Sequence, residues 1–377
     1  MIRFFILLLL LLGFSSAAFA LRYNNFSVMP YASYQAAHYY RDNFDDVSSL
    51  YIYVPADISF NNLNAAVRIN PFYSYHYNKL SLAEAFLLLN YKHLWLKAGR
   101  QFLSFDNDFF IYLGPDNRYD NPKPSYLDGV LSGVDYDNFK AQLFWGDYGG
   151  DNIAGADIKI LRDLPITFNL FSYYRKQPDG KLYLYGIGSD IELSENLYFN
   201  CAFAFNRGDK TYSVFGMPYT KYYKGRALLA QTRYYAPYKY ADFNLTAGYA
   251  FTSAAKEDSL AFKSITDYNI YGVLPASGSL FKQAGIKSVK LNLNAIANNL
   301  KQVNFDISLF YYYSSDGNIR EKYIGSEWDF NISWLTHYTK INLYAGIFSP
   351  NKDFTRYQLP KNKALKTGAY ISLFNFF

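Results

Sequence analysis

One stretch, "NLYFNCAFAFN" from Asn196 to Asn206, shows the pattern that decides the fold. Its odd-numbered positions from Leu197 to Phe205 carry large apolar or thiol side chains. The alternate positions are mostly small or polar: Tyr198, Asn200, Ala202, Ala204 and Asn206. Successive side chains of a β-strand point to opposite faces, so this period of two predicts a strand with one apolar face and one face of small, uncharged residues.

The same alternation recurs along nearly the whole chain, as in "LNAAVRINPFYSYHY" (Leu63–Tyr77) and "ADFNLTAGYAFT" (Ala241–Thr252). Only "LAEAFLLLNYKHLWLKAG" (Leu82–Gly99) could form a helix, and it also divides into two strands. The pattern therefore predicts an all-β chain of about 18 strands. They fall at 22–40, 50–59, 63–76, 81–91, 93–105, 125–136, 138–148, 152–161, 165–175, 181–194, 196–206, 223–234, 240–252, 283–295, 302–314, 323–336, 338–348 and 365–377.

The lengths of the connections separate two architectures that share this alternation. A soluble sandwich also alternates apolar and polar residues, but it gives no reason for connection lengths to alternate. Here short connections such as 137–138, 194–196 and 336–337 follow even-numbered strands, and long ones such as 106–124 and 253–282 follow odd-numbered strands. This parity predicts a transmembrane antiparallel β-barrel with short periplasmic turns and long extracellular loops, some of which fold over or into the mouth.

Both ends of the chain fit that architecture. Residues 1–20 contain Arg3, a short apolar run and the sequence Ala18-Phe19-Ala20, which predicts a cleaved signal peptide; an uncleaved anchor is the alternative. Residues 21–377 then form a single barrel domain. The last strand ends on Phe377, and it resembles the signal that outer-membrane barrels present to their assembly machinery. A closed barrel must pair this strand with the first one, because an unpaired edge in lipid leaves backbone groups unsatisfied.

The composition narrows the partners. Cys201 is the single cysteine, so an internal disulfide is excluded, and the formal net charge of +6 is spread along the chain rather than concentrated as nucleic-acid binding requires. The chain has 40 Tyr residues, and tyrosine collects where an apolar wall meets water. These features predict outer-membrane lipid as the surroundings, in a Gram-negative-type bacterium, and no nucleic-acid partner.

Three segments resemble the alginate-export family of outer-membrane porins. "LWLKAGRQFLSF" (Leu94–Phe105) looks like the fifth-strand region of that family, and "YLDGVLSGVDYDNFKAQLFWGDY" (Tyr126–Tyr148) resembles the strand that follows. "YIGSEWDFNISWLTHYTKINLYAGIFSP" (Tyr323–Pro350) is similar to its penultimate hairpin. The resemblance implies a barrel of about 18 strands and a passive channel for hydrophilic, anionic solutes or polysaccharide.

Charged residues that share a face with small polar residues are the candidates for lining the lumen. Arg100 shares its parity with Leu94, Leu96 and Ala98, so an inward position would need a bulge or a place at the rim. Two interpretations remain open: the charges select solutes, or they pair and brace the wall. The candidates are Arg68, Arg100, Arg175, Lys290, Asp190, Glu192, Asp242, Asp306, Glu327 and Asp329.

Catalytic chemistry has little support in the sequence. The histidines His38, His76, His93 and His337 are scattered, and no metal-ligand spacing or cofactor motif is present. Ser74 and His76, which point the same way on one strand, are the only candidates for the catalytic residues of a hydrolase, and no third residue of a triad can be named. We therefore predict a channel that is not an enzyme; an outer-membrane hydrolase and a structural barrel that anchors a surface or secretion assembly are the alternatives.

Overall fold

The computed structural model describes the strands and several of the connections. The described residues are 21–23, 26–28, 31–41, 43–53, 56–60, 64–74, 79–105, 110–113, 125–161, 165–215, 217–255, 259–264, 285–297, 303–316, 322–335, 339–353 and 364–373. The predicted signal peptide (1–20), His76, His337 and Phe377 lie outside them. In the described part of the chain, no helix is long and apolar enough to cross a bilayer.

Eighteen strands of the described chain follow one another around the main sheet, and the alternating sequence pattern explains why each is extended. They are β1 Tyr31–Arg41, β2 Asn43–Tyr53, β3 Ala65–Ser74, β4 Lys79–Tyr91, β5 Leu94–Gln101, β6 Leu127–Tyr136, β7 Phe139–Tyr148, β8 Asp151–Leu161, β9 Ile166–Gln177, β10 Gly180–Ser194, β11 Leu197–Val214, β12 Arg226–Pro237, β13 Ala241–Thr252, β14 Ile286–Ala297, β15 Val303–Ser314, β16 Tyr323–Leu335, β17 Thr339–Pro350 and β18 Ala364–Leu373.

The last strand pairs with the first. Each strand is antiparallel to its neighbours in the chain, and β18 pairs with β1 from Leu365 opposite Tyr40 to Leu373 opposite Ala32. Between β2 and β3 the direct pairing is short, and the segment Ala56–Phe60 continues the wall beside β3. The main-chain groups of these strands are therefore paired around a ring, which is the condition for a sheet in lipid. The predicted fold, a transmembrane antiparallel β-barrel of about 18 strands, is confirmed.

Two connections differ from the sequence prediction. Residues 41–49 were predicted as a loop, but β2 already begins at Asn43 and pairs with β1 along its full length. Residues 207–222 were also predicted as a loop, whereas β11 continues to Val214 and the short strand Met217–Tyr223 returns antiparallel to it. The tyrosines and threonines of this segment favour strands, and their cross-strand pairs extend the hairpin beyond the wall.

The connections sort by rim as predicted, with three exceptions. The short connections 92–93, 137–138, 195–196 and 238–240 lie on one rim, and the strand ends that the long connections 102–126, 253–285 and 351–363 join lie on the other. The connections from β1 to β2, from β7 to β8 and from β9 to β10 also belong to the rim of long loops, although each is only one or two residues long.

The two faces of the wall have the chemistry of lipid outside and water or protein inside. Leu143 and Trp145 point outward and are 58% and 64% exposed, as are many other large apolar side chains of the wall. Side chains on the inner face, such as Asn169 and Asn206, are buried. Free apolar surface of this extent suits a protein that lipid surrounds.

Glycines on the inner face leave room for aromatic rings of neighbouring strands. The ring of Phe171 lies over Gly186, its cross-strand partner, and the rings of Phe144 and Tyr173 lie over Gly155. A Cβ atom on Gly186 would lie 2.1 Å from Cζ of Phe171, which is far inside van der Waals contact. These rings therefore lie flat along the wall because glycine faces them.

Replacing Gly186 should destabilise the barrel. In the G186A variant, Phe171 must leave its position, and overpacking of this kind costs about 1–3 kcal/mol. We expect the folded band on an unboiled gel to convert to the unfolded band at a lower temperature than in the wild type.

Gly248 provides the matched control, because it also faces inward and a Cβ atom there would meet nothing closer than 3.7 Å. The G248A variant should convert at the wild-type temperature. Equal conversion temperatures for G186A and G248A would contradict the packing explanation.

Candidate solute pathway through the barrel

Segments of two long loops pack inside the ring. After β5 the chain forms the short strands Leu103–Ser104 and Tyr112–Leu113, which pair with each other. Phe105, Phe110 and Ile111 are buried here, and Phe262 of the loop after β13 is buried beside them. Because the wall residues that they contact point inward, these segments narrow the lumen. The prediction that loops fold into the mouth holds for the described parts of 106–124 and 253–282.

The loop segments are held by aromatic contacts. The ring of Phe110 lies 5.0 Å from that of Phe171 and 6.2 Å from that of Phe262, measured between centroids. Phe105 lies 5.6 Å from Phe144 and 5.8 Å from Tyr173. Such pairs add about 0.5–1.5 kcal/mol each to the burial of the rings. The inner wall from β6 to β12 is therefore a hydrophobic core shared with the loops.

Asn206 fixes the second loop to this core. Its Oδ1 atom accepts a hydrogen bond of 2.7 Å from the backbone N–H of Gly225, and its Nδ2 donates to the carbonyl of Lys263 at 3.1 Å. Tyr222 and Tyr223 of the returning hairpin pair in parallel with Ser259 and Leu260. These hydrogen bonds hold the described segment 259–264 of the loop against β11 and the returning hairpin.

Arg68 lies on the inner face of β3, within a cluster of charges. Its guanidinium donates to both carboxylate oxygens of Asp57, at 2.7 and 2.9 Å, and lies 3.7 Å from Glu84. Lys97 is also on this wall, with Nζ 4.6 Å from the centroid of the Phe86 ring. The Arg68 side chain remains 40% exposed, so its pairing with Asp57 does not remove it from the aqueous space.

Arg175 also faces inward, but as a buried brace. Its guanidinium contacts the carboxylate of Asp151 at 2.6 and 2.7 Å, and these side chains are only 9% and 12% exposed. The Gln177 amide donates to the same carboxylate, and the Tyr148 ring lies 5.1 Å from the guanidinium. Of the two interpretations of the charges, bracing fits Arg175.

The structure corrects the expectation for Arg100. Its cross-strand partner is Asp128, which shares the outer face of β6 with the exposed Val130. Arg100 donates to both oxygens of Asp128 at 2.6 and 2.7 Å, and it stacks 3.8 Å from the Tyr126 ring. Its position at the end of β5 is at the rim of long loops. No bulge turns it inward, so Arg100 does not line the lumen.

Lys290 and three of the predicted acids lie on the wall from β14 to β16. Lys290 Nζ is 5.5 Å from the centroid of the Phe310 ring. Glu327 is fully buried and accepts a 3.0 Å hydrogen bond from the Tyr312 hydroxyl, and Asp329 is buried next to it on β16. Asp306 accepts a 2.9 Å hydrogen bond from Asn292. This wall therefore carries acids held by hydroxyl and amide donors.

The remaining predicted acids lie towards the rim of short turns. Asp190 and Glu192 of β10 line a concavity of about 640 Å³ on the inner wall, together with Arg233 of β12. Asp190 is 3.9 Å from the Lys159 ammonium. Asp242 is on β13, one inward position from Asn244, which lines the same concavity.

Sequence reasoning missed several inner-wall charges. Lys97 has the parity opposite to Leu96 and Ala98, so the alternation itself could have found it. Among the inner-wall side chains that the structure describes, the acids outnumber the bases. The acids are Asp57, Glu84, Asp135, Asp151, Asp157, Asp190, Glu192, Asp242, Asp306, Glu327 and Asp329, and the bases are Arg68, Lys97, Lys140, Lys159, Arg175, Arg233 and Lys290.

The described residues show no group that suggests catalysis. They include no cluster of three or more His, Cys, Asp or Glu side chains that could hold a metal ion. His93 lies at the rim of short turns, where Nδ1 is 3.1 Å from the carbonyl of Asp135 and the ring stacks on Tyr136. Of the Ser74–His76 pair, His76 lies outside the described residues.

Replacing Arg175 should test its bracing role. The R175Q variant leaves Asp151 as a buried charge without its partner, which costs about 3–5 kcal/mol. We expect a much lower temperature of conversion on the gel. R226Q is the control, because Arg226 is exposed and points outward from β12. A wild-type conversion temperature for R175Q would show that the ion pair does not brace the wall.

Comparison with known proteins supports the architecture. No family model matches the chain, and no curated protein matches its sequence. Among solved structures, OccK5 (OpdH) of Pseudomonas aeruginosa is similar with a TM-score of 0.61 and 10% identity, over 93% of this chain and 99% of that one. OccK2 (OpdF) of the same species, in complex with glucuronate, is similar with a TM-score of 0.64 and 11% identity, over 93% of this chain and 99% of that one. OccK10 (OpdN) is similar with a TM-score of 0.64 and 10% identity, over 92% of this chain and 99% of that one. The chain therefore has the fold of these Pseudomonas β-barrel proteins, at only 10–11% sequence identity.

Proposed function

We propose that this protein is an outer-membrane porin, through which small hydrophilic solutes diffuse passively. The observation that carries the proposal is the ring of 18 strands with apolar side chains outside and charged, amide and hydroxyl side chains inside. Rings of 16–18 strands are wide enough for an aqueous channel, and the loop segments inside this one leave polar wall on the opposite side.

The proposal places the protein in the outer membrane of a Gram-negative-type bacterium. Its lipid-facing band and the rims of short turns and long loops support this localisation. We also infer that the assembly machinery engages β18, since this strand closes the ring against β1. Phe377, the expected recognition residue, lies beyond the described end of that strand.

We infer the class of solute from the charges of the inner wall rather than from the resemblance to alginate exporters. That resemblance would imply that the channel carries an anionic polysaccharide. A polyanion needs many basic side chains along its path, whereas acidic side chains outnumber basic ones on the described inner wall. In addition, Arg175 is paired with Asp151. OccK2, a structural neighbour, is in complex with glucuronate, a small carboxylate. We therefore favour small solutes over a polymer.

Conductance tests the proposal directly. The purified protein, refolded in detergent and added to a planar bilayer, should produce discrete current steps in 1 M KCl. F110A should raise the conductance, because truncating a buried Phe costs about 3–5 kcal/mol and loosens the loop inside the lumen. F203A, which removes a lipid-facing ring, is the control.

The absence of current steps from folded protein would contradict the porin function. A barrel that folds but never conducts would instead support the alternative of a structural anchor. Equal conductance in F110A and the wild type would show that the loop does not limit the current.

The lumen charges should set the ion preference. In R68Q and K290Q the wall loses a positive charge at short range, where a unit charge contributes about 1 kcal/mol even in water. We expect the cation-to-anion permeability ratio to rise by roughly five-fold per substitution, measured as a reversal potential under a salt gradient.

A compensated variant controls for the loss of the ion pair. In D57N/R68Q both partners become neutral, so the reversal potential should return towards the wild-type value. An unchanged reversal potential in R68Q and K290Q, together with lower heat stability, would mean that these residues only brace the wall.

A further inference from the structure

A second feature of the inner wall is the concavity between β9 and β13, near the rim of short turns. It has a volume of about 640 Å³, enough for a small organic molecule. Its polar lining comes from alternating positions of neighbouring strands: Thr167, Asp190, Glu192, Asn200, Gln231 and Arg233. The inference drawn from it rests on the proposed porin function and concerns the class of solute.

The strand register places opposite charges at two sides of this concavity. Glu192 is opposite Tyr198 on β11, and Tyr198 is opposite Arg233 on β12. Two strand spacings separate the backbones of Glu192 and Arg233, which is about 10 Å. Asp190 lies on the carboxylate side as well, one inward position above Glu192. The concavity therefore has a cationic and an anionic side with a tyrosine between them.

The two sides do not neutralise each other. Arg233 and Glu192 form no ion pair among the described residues, in contrast to Arg175, which contacts Asp151 at 2.6 Å. The Asp190 side chain stays 53% exposed although Lys159 is 3.9 Å away. The Tyr198 hydroxyl donates to the carbonyl of Glu195, so this ring is held in place between the charges. A solute that carries both charges would meet a complement for each.

Two amides add hydrogen-bond acceptors to the lining. The Oδ1 atoms of Asn200 and Asn244 are buried and have no hydrogen-bond partner within the described part of the chain. Unsatisfied acceptors on a wall are costly unless water or a ligand donates to them. Asn200 is opposite Asp190 of β10, so an ammonium group, with three donors, suits the side of Asp190, whereas Asn244 lies on β13, beyond Arg233.

We propose that the concavity is a binding site for a zwitterion that carries an ammonium and a carboxylate, such as a small amino acid. Arg233 binds the carboxylate, since its planar fork of donors matches the two carboxylate oxygens. Asp190 and Glu192 bind the ammonium, and Tyr198 supports the chain between the two groups. A solute with only one of these charges leaves the other side of the site unpaired.

Three probes of equal length test the site: 4-aminobutyrate, butyrate and butylamine. Titration calorimetry with the full chain folded in detergent micelles measures binding without requiring conductance. We expect 4-aminobutyrate to bind at least ten-fold more tightly than either single-charge probe. In a bilayer it should also interrupt the current of the open channel.

Variants assign the two sides. R233Q and D190N/E192Q should each weaken binding of 4-aminobutyrate by about ten-fold or more, as expected for the loss of a charge-assisted hydrogen bond. R233Q should leave butylamine binding unchanged, and D190N/E192Q should leave butyrate binding unchanged. R226Q is the matched control, because Arg226 lies on the same strand and points outward.

The outcomes separate the site from the porin function. Equal binding of butyrate and 4-aminobutyrate would overturn the zwitterion site in favour of a simple anion site, and no binding in micelles would overturn it altogether. A channel that conducts without binding the probe keeps the porin function and loses the site. Binding without conductance supports the site and contradicts the porin.

Discussion

The pairing of β18 with β1 is the interaction on which the rest of the structure depends. A strand edge in lipid has no water to satisfy its N–H and C=O groups, so a sheet can span the membrane only when its last strand meets its first. Leu365–Leu373 supplies that final strand opposite Ala32–Tyr40. Once the ring is formed, each strand residue is either on the lipid face or on the inner face. The period of two in the sequence then decides which residues face lipid and which face the lumen.

The inner face is divided into two parts with different roles. Towards the rim of long loops, the face from β6 to β12 is an apolar core, where glycines such as Gly155 and Gly186 admit flat rings and Phe110 of the loop stacks on Phe171. Towards the rim of short turns, β9 to β12 carry the charged concavity. From β13 to β16 the inner face is polar, with Lys290 and buried acids held by donors. The loop core narrows the lumen on one side, and the charges line the space that remains.

Most of the fold could be predicted from the sequence, because alternation and turn spacing are local properties. The strands and the sorting of long loops to one rim followed from them. The errors also have local causes: the first part of β2 and the extension of β11 were predicted as loops, because their polar residues resemble turn sequences. Arg100 shows the limit of family resemblance, because its parity pointed outward and the structure places it there, against Asp128. Lys97 and Arg233 could have been found from parity alone, whereas the pairing of Arg68 with Asp57 could not.

The sequence by itself determined that this chain is a β-barrel. The side-chain period, the small neutral residues of one face and the alternating loop lengths are local features that can be identified without the tertiary structure. Only the tertiary structure decided which charges remain exposed to a solute. Arg175 and Arg68 have the same inward parity, yet one is buried against Asp151 and the other stays exposed beside Asp57. The physical reason is that burial and pairing depend on strands and loops far apart in sequence, which meet only when the ring closes and the loops enter it.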